Sequence, residues 1–128
     1  MTRKNISSNT EWETTVGYSR AVRIGPLTEV SGTTAVDEEG KVVGPGDIYV
    51  QTKYILAKIG MALAGAGTAI EDVIRTRIYV TDISQWEAVG RAHGETFGDI
   101  KPVATMVEVK ALISPELLVE IEATAYSE

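Results

Sequence analysis

Two glutamates two positions apart, Glu120 and Glu122, stand in the alternating run Val119-Glu120-Ile121-Glu122-Ala123. On a β-strand that spacing puts both carboxylates on one face, where a dry setting raises the pKa of each and suits general-base work. The competing reading pairs them with Arg75 and Arg77, which share one face of a second alternating segment, Val73 to Val80. Ser31 precedes Gly32, and a glycine there lets a ligand approach backbone N–H groups closely. A serine nucleophile has no acid–base partner in the sequence, because His93 is the sole histidine and its helical spacing points to packing. One histidine and no cysteine leave too few nitrogen or sulfur ligands for a zinc site, and no carboxylate spacing resembles a Mg or Ca loop. Gly44-Pro45-Gly46-Asp47 is too short and wrongly spaced to cradle phosphate.

The elements that must position these residues follow from periodicity. Tyr18 to Ile24 and Leu27 to Ala35 suit extended structure around a Gly25-Pro26 turn, which predicts a hairpin. Asp47 is placed to cap a long helix in which Ile48, Thr52, Ile55, Ile59, Ala62, Leu63 and Ala66 recur at steps of three and four and define one buried stripe. Val73 to Val80 reads as a strand. Ser84 and Glu87 form a capping-box pattern ahead of Trp86, Val89, His93 and Phe97 at helical spacing, with Trp86 expected as a core anchor. Val103 to Leu112 and Leu117 to Ala125 are the last strands, joined across Ser114-Pro115. The predicted class is α+β: one mixed sheet in the order strand, strand, helix, strand, helix, strand, strand, with both helices packed on one face.

At 128 residues the chain suits a single domain over 1–128. Its 44% hydrophobic and 23% charged content is that of a globular protein, and no apolar run is long enough to cross a bilayer, so no membrane role is expected. A net charge of −6 and a pI near 4.8, without a basic stripe, argue against a nucleic-acid partner. The N-terminal residues have no apolar stretch behind their positive charge, and with no cysteine a cytoplasmic location is the expectation.

Three segments together carry a family resemblance: Pro102-Val103-Ala104-Thr105-Met106-Val107-Glu108-Val109, Val119 to Ala123, and Val30-Ser31-Gly32-Thr33-Thr34. With them the chain resembles the reactive intermediate deaminase family, also called Rid, YjgF or endoribonuclease L-PSP. The resemblance implies the chorismate mutase-like fold and a homotrimer with a central barrel, with a small-molecule ligand in an inter-subunit cleft and no cofactor. In deaminating members an arginine two residues after the proline holds the carboxylate of a 2-imino acid, and a glutamate positions the water that attacks the imine carbon. Matched residue by residue, the arginine position is Ala104, the water-handling glutamate is Glu120, and the cleft residues are Tyr18, Ser31 and Gly32.

Alanine cannot bind a carboxylate through its side chain, a loss of roughly 1.5–3 kcal/mol. Thr105 and Met106 line the strand beside it, and the methionine would make the cleft greasier. Arg77, on the charged sheet face, is the favoured substitute cation, against an ion pair with Glu108, Glu120 or Glu122; Arg20, Arg23, Arg75 and Arg91 are further candidates. Three functions follow: a Rid-like hydrolase of a small imine, enamine or related carbonyl derivative using Glu120, a non-catalytic binding or regulatory trimer, and, least supported by the acidic composition, an endoribonuclease or translation inhibitor.

Overall fold

A computed structural model describes all 128 residues. Six strands, β1 (Arg3–Ile6), β2 (Ala21–Ile24), β3 (Leu27–Thr33), β4 (Val73–Val80), β5 (Val103–Glu108) and β6 (Val119–Tyr126), alternate with helices α1 (Glu11–Val16), α2 (Ile48–Gly65) and α3 (Trp86–Phe97). They form one sheet in the order β1-β2-β3-β6-β4-β5, antiparallel throughout except for the β4–β5 pair. The crossover through α3 is what permits that parallel pair.

Helices α2 and α3 cover one face of the sheet. Ile55, Ile59 and Leu63 of α2 and Val89 of α3 are fully buried against Val30, Ile78, Val80, Val119, Ile121 and Ala125, so the stripe read from three-and-four spacing is the core-facing stripe. Asp47 caps α2 by accepting from the Val50 N–H at 3.1 Å. Gln51, buried one turn into α2, donates to Glu116 O at 2.9 Å and accepts from Leu118 N–H at 2.9 Å, tying the helix to the entry of β6. His93 packs as expected: its Nε2 lies 2.9 Å from Thr76 Oγ1 and its ring 4.7 Å from that of Phe97, and burial lowers its pKa.

The structure adds a strand and a short helix that periodicity misses. Arg3–Ile6 has no apolar pattern because it is an edge strand, exposed along most of its length and held by pairing with β2. In α1 the order comes from caps: Glu13 accepts from the Ser8 N–H at 3.0 Å, and Gly17 closes the helix in the left-handed region. Two helix-entry readings are corrected. Ser84 does not build a capping box, since Asp82 takes both the Ser84 N–H and its hydroxyl and a 3-10 turn, Ile83–Gln85, precedes α3. Trp86 is no core anchor; it is 55% exposed on the first turn of α3. Strands are also shorter than read, β2 beginning only at Ala21, β3 ending at Thr33 and β5 at Glu108.

The other face of the sheet carries no helix. Alternation places Arg75, Arg77 and Tyr79 of β4 and Glu120, Glu122 and Thr124 of β6 there, registered as Arg75↔Thr124, Arg77↔Glu122 and Tyr79↔Glu120. Glu108 departs from this group, accepting from the Ile83 N–H at 3.0 Å at the end of its strand.

Candidate active site at the Ser31–Gly32 bulge

Strand β3 pairs with β6 through Val30↔Ala123, slips, and resumes at Thr33↔Ile121. Ser31 and Gly32 therefore oppose Glu122 alone, which is a β-bulge, a device that re-aims side chains beside it. The Glu120 side chain fills the space so made. A Cβ on Gly32 would overlap Glu120 Oε2, so the position needs glycine for close approach.

Glu120 is half-buried and makes no ion pair; the salt bridges of the chain are Lys41–Glu39 and Lys53–Glu95, both far along the sequence from it. Burial raises its pKa, the neighbouring Glu122 charge raises it further, and Arg20 opposes both. Glu122 differs from it in being engaged, accepting the Tyr79 hydroxyl at 3.0 Å. Of the two carboxylates, then, Glu120 keeps free acceptor capacity and an enhanced affinity for a proton. Those are the properties required to orient a water and remove its proton.

Arg20 joins this group. Its Nη2 donates to Ser31 Oγ and, at 2.6 Å, to Gly32 O, and its guanidinium lies 5.9 Å from the centre of the Tyr18 ring. The signal for this place was present in the hairpin: with Ile24↔Leu27 flanking the Gly25-Pro26 turn and Ala21↔Val30 following, counting one step further sets residue 20 against Ser31. The Ser31 N–H does bond Arg20 O at 3.0 Å. Gly25 supplies the positive φ of 56° that this tight turn requires.

The residues singled out in the sequence fall into two sets. Tyr18, Ser31, Gly32 and Glu120 come together at the bulge. Arg77 is exposed on the uncovered face, where with Glu122, Ser31, Ser19, Val22 and Glu29 it lines an open hollow of about 350 Å³. It forms no ion pair with Glu108, Glu120 or Glu122. Arg91 lies on the outer surface of α3, stacked over Tyr49 at 4.3 Å.

Residues 104–106 are elsewhere, on edge strand β5. Ala104 pairs with Thr76 and Met106 with Ile78, so both face the helix side, and Met106 packs against the core; Thr105, registered with Arg77, faces the other way. The three do not line one pocket together, because adjacent strand residues point to opposite faces. Glu120 is registered with Tyr79 and so with Val107, which leaves Ala104 two strands across and three residues along, roughly 10 Å in each direction. Within one chain Ala104 and Glu120 cannot touch the same small molecule.

Fold and site together define a small α+β domain whose helix-free sheet face ends in a glycine bulge holding one free carboxylate. A family profile described as Endoribonuclease L-PSP matches residues 8–127. A solved structure from Mycobacterium tuberculosis, Rv2704, described as a member of the YjgF/YER057c/UK114 family, is similar at 56% identity and a TM-score of 0.90, covering 98% of this chain and 99% of that one. An uncharacterized Streptomyces coelicolor protein is 39% identical over 96% of this chain and 91% of its own length. The 3-aminoacrylate deaminase RutC of Acinetobacter baylyi is 31% identical over 85% of this chain and 86% of its own. The chain belongs to the endoribonuclease L-PSP family, the YjgF or Rid proteins.

Proposed function

We propose that this protein hydrolyses a small imine or enamine, or a related carbonyl derivative, in a cleft between subunits of a homotrimer. An enamine first tautomerises to its imine by taking a proton at carbon and giving one up from nitrogen. Glu120 orients a water against the C=N carbon and takes its proton as the C–O bond forms and the nitrogen is protonated. The carbinolamine then collapses, its hydroxyl losing a proton while Glu120 returns the one it took to the departing nitrogen, so ammonia leaves, a carbonyl product remains and one water is consumed without a cofactor. The observation that carries this reading is the free, half-buried Glu120 carboxylate beside Gly32, with its raised proton affinity. Kinship with a protein named as a 3-aminoacrylate deaminase, which acts on an enamine, supports the substrate class.

Assembly is supported by the uncovered sheet face. Alternation puts Ile24, Leu27, Val103, Val107 and Tyr126 on it, all more than 40% exposed, which is surface that a second copy would cover. The separation of Ala104 from Glu120 favours the same conclusion, since strand β5 of one subunit can border the Glu120 of the next. Light scattering is expected to give three times the 13.8 kDa chain mass. A cytoplasmic setting suits a cysteine-free chain; no helix is long and apolar enough to cross a membrane.

Ala104 favours a second reading, a trimer that binds a small molecule without turning it over. Ammonia release from 2-imino acids made in situ by an amino-acid oxidase separates the two. Activity in the natural protein that falls by about 10²-fold or more in Glu120→Gln supports the hydrolase. Inactivity with every imine and enamine offered, persisting in Ala104→Arg, supports the binding role.

A further inference from the structure

At the Ser31–Gly32 bulge the ladder between β3 and β6 is interrupted, and Arg20 supplies the bonds that hold the chain there. Its carbonyl accepts from the Ser31 N–H at 3.0 Å and from the Ser31 hydroxyl at 3.2 Å, while its Nη2 donates to Ser31 Oγ and, at 2.6 Å, to Gly32 O. Thr33 adds one further bond, from its hydroxyl to Ser31 O at 2.8 Å. The shape of the bulge, and with it the space over Gly32 that the Glu120 carboxylate fills, is therefore held largely by one residue.

None of these bonds requires a positive charge. The acceptors are neutral, so an amide side chain would serve them, and the guanidinium brings a cost of its own because its Nε is buried without a partner. The charge acts instead on Glu120. Burial and Glu122 raise the proton affinity of that carboxylate, and Arg20 lowers it. The remaining charged and titratable groups nearby are engaged elsewhere: the Tyr79 hydroxyl, registered with Glu120, is given to Glu122; Arg77 is registered with Glu122; and Lys58 of α2 donates to Thr34 O and Val36 O and has Asp37 as its counter-charge. Arg20 and Glu120 answer each other without a salt bridge between them, which leaves the carboxylate oxygens free for water.

We propose that Arg20 is a positioning residue for Glu120: it holds the bulge in the shape that admits the carboxylate and places a positive charge near it without taking its oxygens. A direct pair would occupy the acceptors that a water needs. Loss of the charge would let burial and Glu122 bring a proton onto Glu120, and a protonated glutamate takes no proton from water. The inference rests on the role given to Glu120 above, and it adds the residue that sets the pH range in which that role is available.

The side-chain carboxyl resonance of Glu120, assigned by its loss in Glu120→Gln, reports the titration directly in an NMR experiment on the intact assembly. In Arg20→Gln it is expected to titrate at higher pH than in the natural protein, and Arg20→Lys, which restores the charge, is expected to bring it back. The acid limb of the kcat/KM profile for an imine or enamine is expected to move in the same direction in Arg20→Gln and to return in Arg20→Lys. Ser31→Ala keeps the charge and removes one of its anchors. There kcat on the alkaline plateau is expected to fall about tenfold or more, with the Glu120 titration unmoved.

A Glu120 titration identical in the natural protein and in folded Arg20→Gln, even with stability lowered, is what a merely structural arginine would give, and it would overturn the proposal. A titration displaced alike in Arg20→Gln and Arg20→Lys, or a plateau kcat intact in Ser31→Ala, would do the same. Should Arg20→Gln not fold, Arg20→Lys and Ser31→Ala still decide: a natural titration in the first with a lowered kcat in the second supports the proposal, and either result reversed sinks it. Absence of hydrolysis with the Arg20-dependent titration present removes the reading of Glu120 as a base and leaves Arg20 as the residue that fixes its charge. Hydrolysis that needs Glu120 but keeps its pH profile in Arg20→Gln does the reverse.

Discussion

The two faces of the sheet solve opposite problems. On the helix side nearly every demand is met inside the chain: Ile55, Ile59, Leu63 and Ile121 are wholly buried, and Gln51, Thr52 and Thr76 are buried with their polar atoms bonded, the Thr28 hydroxyl being the one buried without a partner. On the other side, and at the bulge where β3 leaves it, demands stay open. Glu120 makes no salt bridge, the Arg20 Nε is buried without an acceptor, and apolar side chains from Leu27 to Tyr126 have no cover. A chain selected for stability alone would close both faces; the open one is where the proposed site lies.

The comparison can be broken most forcefully from the closed side. Ile59→Ala leaves a cavity at a fully buried position and is expected to cost about 2–5 kcal/mol in urea denaturation, with ligand affinity intact in the folded fraction. A loss below about 1 kcal/mol would mean that the helix face is not the tightly packed half. Gly32→Ala sharpens the contrast from the open side. The new methyl pushes the end of the flexible Glu120 side chain from its place, so turnover is expected to fall on the order of 10- to 100-fold while stability moves by less than about 1 kcal/mol. A large loss of stability with activity retained would make the bulge structural.

The smallest effect is a slope with pH. Lys58 holds its proton more weakly in the folded chain, at about 8, than its ordinary value of 10.5 in the unfolded one. Between those values the unfolded chain binds more proton, so stability should rise as pH climbs through that window. Glu120 acts in the opposite sense in acid. Its raised folded pKa means that the native chain binds more proton above the ordinary value of 4.5, and stability should fall as pH rises through that region. Lys58→Met should flatten the alkaline rise and Glu120→Gln the acid fall, each read from urea midpoints across pH.

The closed face was the legible one. Periodicity reports burial, so α2, β4 and α3 could be read from Ile55, Ile59, Ile78 and Val89. The mixed sheet with its helices on one side followed from them. At the open end periodicity has little to report. The bulge breaks it, β1 is held by pairing rather than by an apolar stripe, and α1 rests on Glu13 and Gly17. Met106 was misjudged because its nearness to Ala104 and Thr105 in sequence hides that alternate residues of a strand look in opposite directions. Alternation identifies the face that carries Arg77 without locating a position along it, whereas pairing counted back from Gly25-Pro26 also sets Arg20 beside Ser31.

The place of β6 has a consequence for how the protein comes into being. The last of the six strands to be synthesised lies between β3 and β4, and these two do not pair with each other. Without β6, no strand pairing joins β1 to β3 with the β4–β5 unit. Because β6 also brings Glu120 to Gly32, the strand that joins the halves and the strand that completes the candidate site are the same. A chain lacking it would have neither the joined sheet nor that site, so the two can arise only together.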